Sequence, residues 1–382
     1  MSGWAITGVG AVNSVGATAE ETFRALCGGQ TGLAGLRGFD PSRFRVRQAY
    51  EIDDRPRAGA DEPGRATRWL LAAIAEAAAD AGLGEDLRDV PILVGTGLRE
   101  LRSAELWSLG ETDLREADLH FGPALLERFG AAMTFTFSNA CSASLYALGL
   151  GADMIETGAA DTVVVAGVDA ITASMHGLLD RVHPVPPRAV RPFDRGREGV
   201  VMGEGATAIV LTRPADGARP VRDRGRLRSV GLGCDAYHVT APDPAGIEET
   251  IRDAHARAGV KPDDIDLVLL HGTGTLLNDE AEALAVSRAL EGQVGQPLMT
   301  AIKSMTGHTS GGSGLLGLIV AVLSLASGLV PPTIGLTDPV EEAIRFRFAG
   351  PEAVPAQLGL AQVNAFGFGG VNAVAIVEGS PS

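Results

Sequence analysis

Cys141 lies in Ser138-Asn-Ala-Cys-Ser-Ala-Ser-Leu-Tyr-Ala-Leu-Gly149. A run of sheet-forming residues, Met133 to Phe137, ends just before it, and a helical pattern follows from about Ser142. The pattern puts the cysteine on a strand-to-helix turn, at a helix N-terminus. Unpaired amide N–H groups and the helix dipole favour a thiolate there, and a thiolate near neutral pH is a nucleophile. A small buried cysteine filling space against a sheet is the competing reading.

Two further segments carry histidines. His271-Gly-Thr-Gly-Thr275 follows the apolar run Leu267–Leu270. Side chains gather at such strand tips in α/β folds, and Thr273 and Thr275 offer hydroxyls to a polar ligand. Asp279 and Glu282 follow on a helix, where negative charge complements the dipole. In the third segment, Lys303 and His308 flank a turn before a glycine-rich apolar helix. A lysine and a histidine among so many small residues are costly unless they are paired or functional. Lysine occurs otherwise only at Lys261.

The elements that must hold these residues alternate. Strands are expected at Trp4–Val9, Ile92–Gly95, Thr134–Phe137, Thr162–Ala166 and Thr207–Leu211, then at Leu267–Leu270, Leu298–Ala301, Ala361–Asn364 and Ala373–Val377. Helices are expected at Ala66–Ala81, Ser142–Thr157, Gly246–Ala258, Asp279–Ala289 and Gly314–Ser327. Short apolar strands between Ala-rich helices indicate an α/β fold with parallel sheet. A weak internal echo joins Val90–Gly97 to Asp266–Gly274. Each ends a strand in Gly-Thr-Gly and precedes another strand, a small-residue turn and an apolar helix. Duplication would produce this, with the Arg/Pro/Gly-rich stretch Arg213–Arg228 as the seam between residues 1–212 and 213–382.

Composition excludes several classes. The net charge of −15 argues against nucleic acid. Three cysteines, Cys27, Cys141 and Cys234, with no CxxC pair, support neither a disulfide framework nor a metal site. Gly8-Val-Gly-Ala-Val-Asn13 lacks the third glycine of a dinucleotide fingerprint. No secretory signal is read at the N-terminus, and the apolar run Leu315–Val330 is short for a membrane span. A cytoplasmic protein away from membranes is expected.

Taken together, the segments around Cys141, His271 and Lys303/His308 resemble the Cys-His-His set of β-ketoacyl synthases of the thiolase superfamily. AITGVGAVNSVG at the start, RPFDRGREGVVMGEGATAIVL (Arg191–Leu211), DAYHVTAPDPAG (Asp235–Gly246) and NAFGFGGVNAVAIVE (Asn364–Glu378) agree. The resemblance implies a thiolase fold, five-layered α-β-α-β-α from two similar halves, and a homodimer or a heterodimer with a related ketosynthase-like subunit. It implies that Cys141 takes an acyl group and that a malonyl thioester then loses carbon dioxide and condenses with it. His271 and His308 would serve decarboxylation, and Lys303 would tune the site. The N–H groups of Cys141 and Phe368 would form an oxyanion hole. Thr273 and Thr275 would hold a phosphopantetheine arm, and Phe366 and Phe368 would line the entrance, with Phe368 as gate. No bound cofactor is implied, because substrates arrive on an acyl carrier protein. Arg65 and Arg68 sit where relatives contact that carrier. Fatty-acid members often carry a glutamate where this chain has Gly317, which would leave Lys303 without that partner. The divergent stretch from Gly97 to Phe135 favours a specialised pathway. The same resemblance admits two alternatives: acyl transfer without decarboxylation, and a non-catalytic chain-length partner.

Overall fold

The computed structural model describes residues 3–55, 60–213, 223–290 and 297–380. Among the described residues eleven strands build one sheet, ten of them in a repeated order. The ten are β1 (Trp4–Asn13), β2 (Ile92–Gly95), β3 (Thr134–Phe137), β4 (Thr162–Asp169), β5 (Gly205–Thr212), β6 (Gly225–Cys234), β7 (Leu267–Leu269), β8 (Leu298–Thr300), β9 (Leu360–Gly367) and β10 (Val371–Glu378). Their spatial order is β8-β7-β9-β10-β6-β1-β5-β4-β2-β3, with the short strand Arg347–Phe348 beside β8.

The order contains a repeat. β1 to β5 lie third-second-fourth-fifth-first, and so do β6 to β10. Pairing directions repeat as well. The third, second and fourth strands of each set run parallel, and the fifth is antiparallel to both the fourth and the first. This corrects the expectation of a parallel sheet, because two antiparallel pairings in each set were not visible in the alternation of elements. The sets join where Trp4–Ile6 pair with Gly225–Leu227.

Five helices complete the layers: α1 (Arg65–Asp80), α2 (Ala143–Glu156), α3 (Pro244–Ala258), α4 (Leu276–Ala289) and α5 (Ser313–Ser327). Leu145 and Leu148 of α2 and Leu315, Leu318 and Ile319 of α5 share one core with Val163 and Val165 from the first set and Val363 and Ala375 from the second. These helices therefore lie between the two inner faces. Outside the first set, Trp69, Leu70 and Ile74 of α1 pack on Val164, Ala208 and Val210. Outside the second, α3 and α4 cover Val268, Val374 and Ile376. This is the expected five-layered thiolase architecture. Apolar side chains all round α5 follow from its place, since a helix between two sheets has no wet face. The stretch Ser310–Ser327 is long and apolar enough to cross a membrane, but 83% of it is buried inside the protein.

Gly8 and Gly10 serve packing. A Cβ at either would sit 2.1 Å from the Ala77 carbonyl oxygen or 2.2 Å from that of Ala73, so α1 lies directly on the β1 backbone. Strand β6 was not expected. Residues 214–222 of the proposed seam lie outside the described residues, and Gly225–Arg228 open β6 instead.

The first turn of α1 corrects the docking expectation. Arg65 is 2% exposed. Its guanidinium contacts Glu204 at 2.8 Å, Asp54 at 2.7 Å and Asp61 at 3.1 Å, and stacks over the Trp69 ring. A buried cation so fully paired is unavailable to a partner. Arg68 remains at the surface, paired with Glu62 at 3.1 Å.

Candidate active site

The chain leaves β3, passes Ala140 at φ 49°, and enters α2 through a single 3₁₀ turn, Ala140–Ser142. A left-handed alanine costs roughly 1–2 kcal/mol, so the surrounding contacts must enforce it. Ser313 at the start of α5 donates its hydroxyl to the Cys141 carbonyl at 3.3 Å. Gly367 closes in from β9, where a Cβ would lie 3.2 Å from the Cys141 nitrogen. The second set repeats the device: Ser310 at φ 47° opens the turn Ser310–Gly312, which leads into α5. Gly311 occupies the place that Cys141 holds in the first.

Cys141 is partly exposed. Burial pushes its thiol up to about 11. The Lys303 cation and the N–H groups of Phe368 and Cys141 pull the other way and do not prevail. Burial therefore outweighs the helix end, and the group is a thiol near neutral pH.

His271 sits just past β7. Its backbone N–H donates to Glu282 Oε1 at 2.7 Å, and that of Gly272 donates to Oε2 at 2.8 Å. Glu282 and Asp279 are fully buried, so the reading of dipole charges is corrected: they are anchors. Asp279 accepts from the N–H groups of Phe193 at 2.7 Å and Gly274 at 3.2 Å. Lys303 Nζ donates to the His271 carbonyl at 2.5 Å and lies 3.4 Å from Nδ1 of the same residue. The rings of His271 and His308 meet edge to face at 5.4 Å between centroids, and Phe366 packs on His271 at 5.7 Å.

Burial and the Lys303 cation hold both imidazoles well below the usual histidine range, so both are neutral near pH 7. Burial lowers Lys303 to about 8, opposed by Glu282, Cys141 and Asp279. Glu282 is the foremost charge holding Lys303 protonated where Gly317 offers none, and burial raises its own carboxyl. A Cβ at Gly317 would already lie 3.1 Å from a Val363 methyl. Nδ1 of His308 is buried and makes no hydrogen bond among the described residues. Such an orphaned atom suits a site that completes itself on an incoming ligand.

The Thr273 and Thr275 hydroxyls lie 2.9 Å apart. Thr275 also caps α4, accepting from the Asn278 N–H at 3.3 Å. Phe366 is 4% exposed and Phe368 is 50% exposed, so the first is packed and the second stands at the surface.

Sequence reasoning missed Asp169, the last residue of β4. It accepts from the Thr96 hydroxyl and the Leu98 N–H at 2.7 Å each, the Gly97 N–H at 2.8 Å and the Gly311 N–H at 2.7 Å. An acid closing the apolar strand Thr162–Gly-Val-Asp169 was the available signal.

Two family models match most of the chain: the beta-ketoacyl synthase N-terminal domain over residues 3–217 and the C-terminal domain over residues 224–337. The chain is 32% identical over 404 residues to 3-oxoacyl-[acyl-carrier-protein] synthase 2 of Vibrio harveyi, covering 96% of each. It is 33% identical over 415 residues to "Putative polyketide beta-ketoacyl synthase 1" of Streptomyces cyaneus, covering 98% of this chain and 97% of that one. Among solved structures, the ishigamide ketosynthase/chain length factor superposes with a TM-score of 0.88 at 30% identity, with both chains wholly covered. The ketosynthase ApeO in complex with its chain length factor ApeC, from Xenorhabdus doucetiae, gives 0.83 at 25% identity, covering 99% of this chain and 98% of that one.

Proposed function

The chain belongs to the β-ketoacyl synthase family, and on that premise we propose that it is a β-ketoacyl-[acyl carrier protein] synthase. It joins a Cys141-bound acyl group to malonyl carrier protein by decarboxylative Claisen condensation. The observation that carries this reading is the convergence at one place of the Cys141 elbow, two neutral imidazoles and a buried lysine.

In this reading the acyl thioester first meets Cys141. The thiol gives up its proton to a neutral imidazole as the sulfur attacks. The N–H groups of Cys141 and Phe368 stabilise the oxyanion that forms. The carrier's phosphopantetheine thiol leaves with the proton. Thr273 and Thr275 then hold the arm of the malonyl carrier. His271 and His308 donate hydrogen bonds to its thioester oxygen as carbon dioxide departs and enolate charge develops. The carbanion attacks the acyl carbon and Cys141 departs. Lys303 positions His271 and favours negative charge at the sulfur. Phe368 gates the opening, with Phe366 packed behind it.

Residues 1–212 are read as the half that brings the cysteine and 213–382 as the half that brings both histidines. The enzyme binds no cofactor of its own and takes substrates on the phosphopantetheine of an acyl carrier protein. It acts in the cytoplasm as a dimer, with itself or with a related ketosynthase-like subunit. The likeness to ketosynthase/chain length factor assemblies supports a specialised pathway over primary fatty-acid synthesis. Intact-mass measurement after mixing with acyl and then malonyl carrier protein tests this reading. The expected result is an acyl adduct on Cys141 that Cys141→Ala abolishes, followed by release of a β-ketoacyl carrier. An adduct on Cys27 or Cys234 instead overturns it.

A further inference from the structure

A buried polar chain reaches the site from outside it. His255 on α3 contacts Gln362 Oε1 through Nε2 at 2.8 Å. Gln362 Nε2 donates to Asn364 Oδ1 at 2.8 Å. Asn364 Nδ2 donates to Glu282 Oε1 at 3.0 Å. Glu282 then anchors the His271 backbone. His255 and Asn364 are 5% and 3% exposed, and Gln362 and Glu282 are wholly buried.

The chain has one direction. Gln362 spends its amide N–H on Asn364, so its oxygen must accept from His255, which fixes the Nε2–H tautomer. Every donor therefore points toward Glu282. Aligned hydrogen bonds polarise one another, and a chain ending on a carboxylate favours its charged form. A histidine and a glutamine between α3 and β9 are otherwise poor choices, since this space is lined by Ile251, Ala254, Val374 and Ile376.

We propose that His255 and Gln362 are positioning residues for the condensation: through Asn364 they hold the Glu282 carboxylate, and through it the charge of Lys303 and the placement of His271. The inference rests on the functional reading above for its consequence in catalysis, but not for its electrostatics. The charged and titratable groups facing this chain are Lys303, Asp279, His271, His308 and Cys141 at the site, with Arg197 3.9 Å from Asp279. Arg252 lies near His255, on the same helix, and reaches the Arg288 carbonyl of α4. Of these, Lys303 is the group that Glu282 stabilises and that in turn favours the Cys141 thiolate.

The test uses the full chain with His255→Leu/Gln362→Leu, which keeps volume and removes the donors. Iodoacetamide alkylation of Cys141, read by mass spectrometry of its peptide, is followed from about pH 6.5 to about pH 9.5. This range lies below the midpoint of the thiol, so the rate follows the small thiolate fraction, and the expected result is alkylation at about pH 8 slowed roughly threefold or more. Malonyl-thioester decarboxylation should lose kcat with KM little changed. His255→Gln, which keeps an N–H donor, should restore part of both. An alkylation rate at about pH 8 equal to that of the wild type, with only a lower melting temperature, overturns the proposal. If the double variant does not fold, His255→Leu alone removes the first donor and is read in the same way. If the wild type decarboxylates nothing, the functional reading falls while the alkylation profile still decides the relay.

Discussion

Cys141 and Lys303 are each written once in the sequence but act as a pair in space. Burial disfavours the charged form of both; Lys303 is the foremost charge favouring the Cys141 thiolate, while Glu282 is the foremost charge holding Lys303 protonated. Lys303→Met should therefore slow alkylation of Cys141 at about pH 8 severalfold, because losing the cation raises the thiol further. Equal rates in variant and wild type would show that the lysine's field does not reach the sulfur. The histidines make a separate prediction. His271→Ala or His308→Ala should still accept an acyl group but decarboxylate more slowly by about 10²–10³, the usual effect of losing a donor to a developing oxyanion. Their imidazoles are held below the ordinary range, so they remain neutral as pH falls through 6.5. The acid limb of decarboxylation by the wild type should accordingly lie below pH 6.5, and a midpoint at or above that value would contradict the burial argument.

Asp169 shows how elements, not single residues, hold the nucleophile in place. Its carboxylate ties the loop after β2 to the turn before α5, which in turn supports Cys141 through Ser313. Asp169→Asn turns one acceptor oxygen into a donor facing N–H groups. The loss should be about 2–4 kcal/mol, since buried donors left unsatisfied cost about 1–3 kcal/mol each. A lower urea midpoint with unchanged slope, together with slower acylation of Cys141, is the expected outcome. A midpoint within error of wild type would remove the clamp. This residue also marks what the sequence conceals. The strand-turn-helix around Cys141 was legible because sheet-forming residues, a small-residue turn and a 3.6 period follow each other without overlap. The turn residues Lys303 and His308 were legible because polar groups stand out among glycines. Strand β6 was not, because Gly225-Arg-Leu-Arg-Ser-Val reads as a polar loop until its arginines are seen to line one face, with Leu227 and Ser229 buried on the other. Glu282 was read as helix charge because only the fold brings β9 and its Asn364 against it. Arg65 failed for the same reason: its partners Asp54, Asp61 and Glu204 converge from three segments.

At the scale of the whole molecule, the sheet ends on β3, whose outer edge pairs with no other strand among the described residues. The Ile92 and Thr96 N–H groups donate to the carbonyls of Met133 and Phe137, so these face β2. By the two-residue period of a strand, the N–H and C=O of Thr134 and Thr136 face outward. Met133 and Phe135 on the same edge are 41% and 43% exposed. An unpaired edge flanked by apolar side chains is a template for a second chain. Two identical copies each bring a charge of −15, so net repulsion opposes their association, and strand pairing with apolar contact must outweigh it. Salt should therefore tighten the proposed dimer by screening the repulsion. Thr134→Pro removes an outward N–H without touching the β2 ladder, and proline is tolerated at the first residue of a strand. By symmetry two hydrogen bonds are lost per dimer, roughly 2–3 kcal/mol, which corresponds to a dissociation constant weaker by about 30- to 150-fold. Light scattering across a dilution series should show monomer at concentrations where the wild type is dimeric, with circular dichroism unchanged. A folded Thr134→Pro variant that dimerises as tightly as the wild type would place the interface elsewhere.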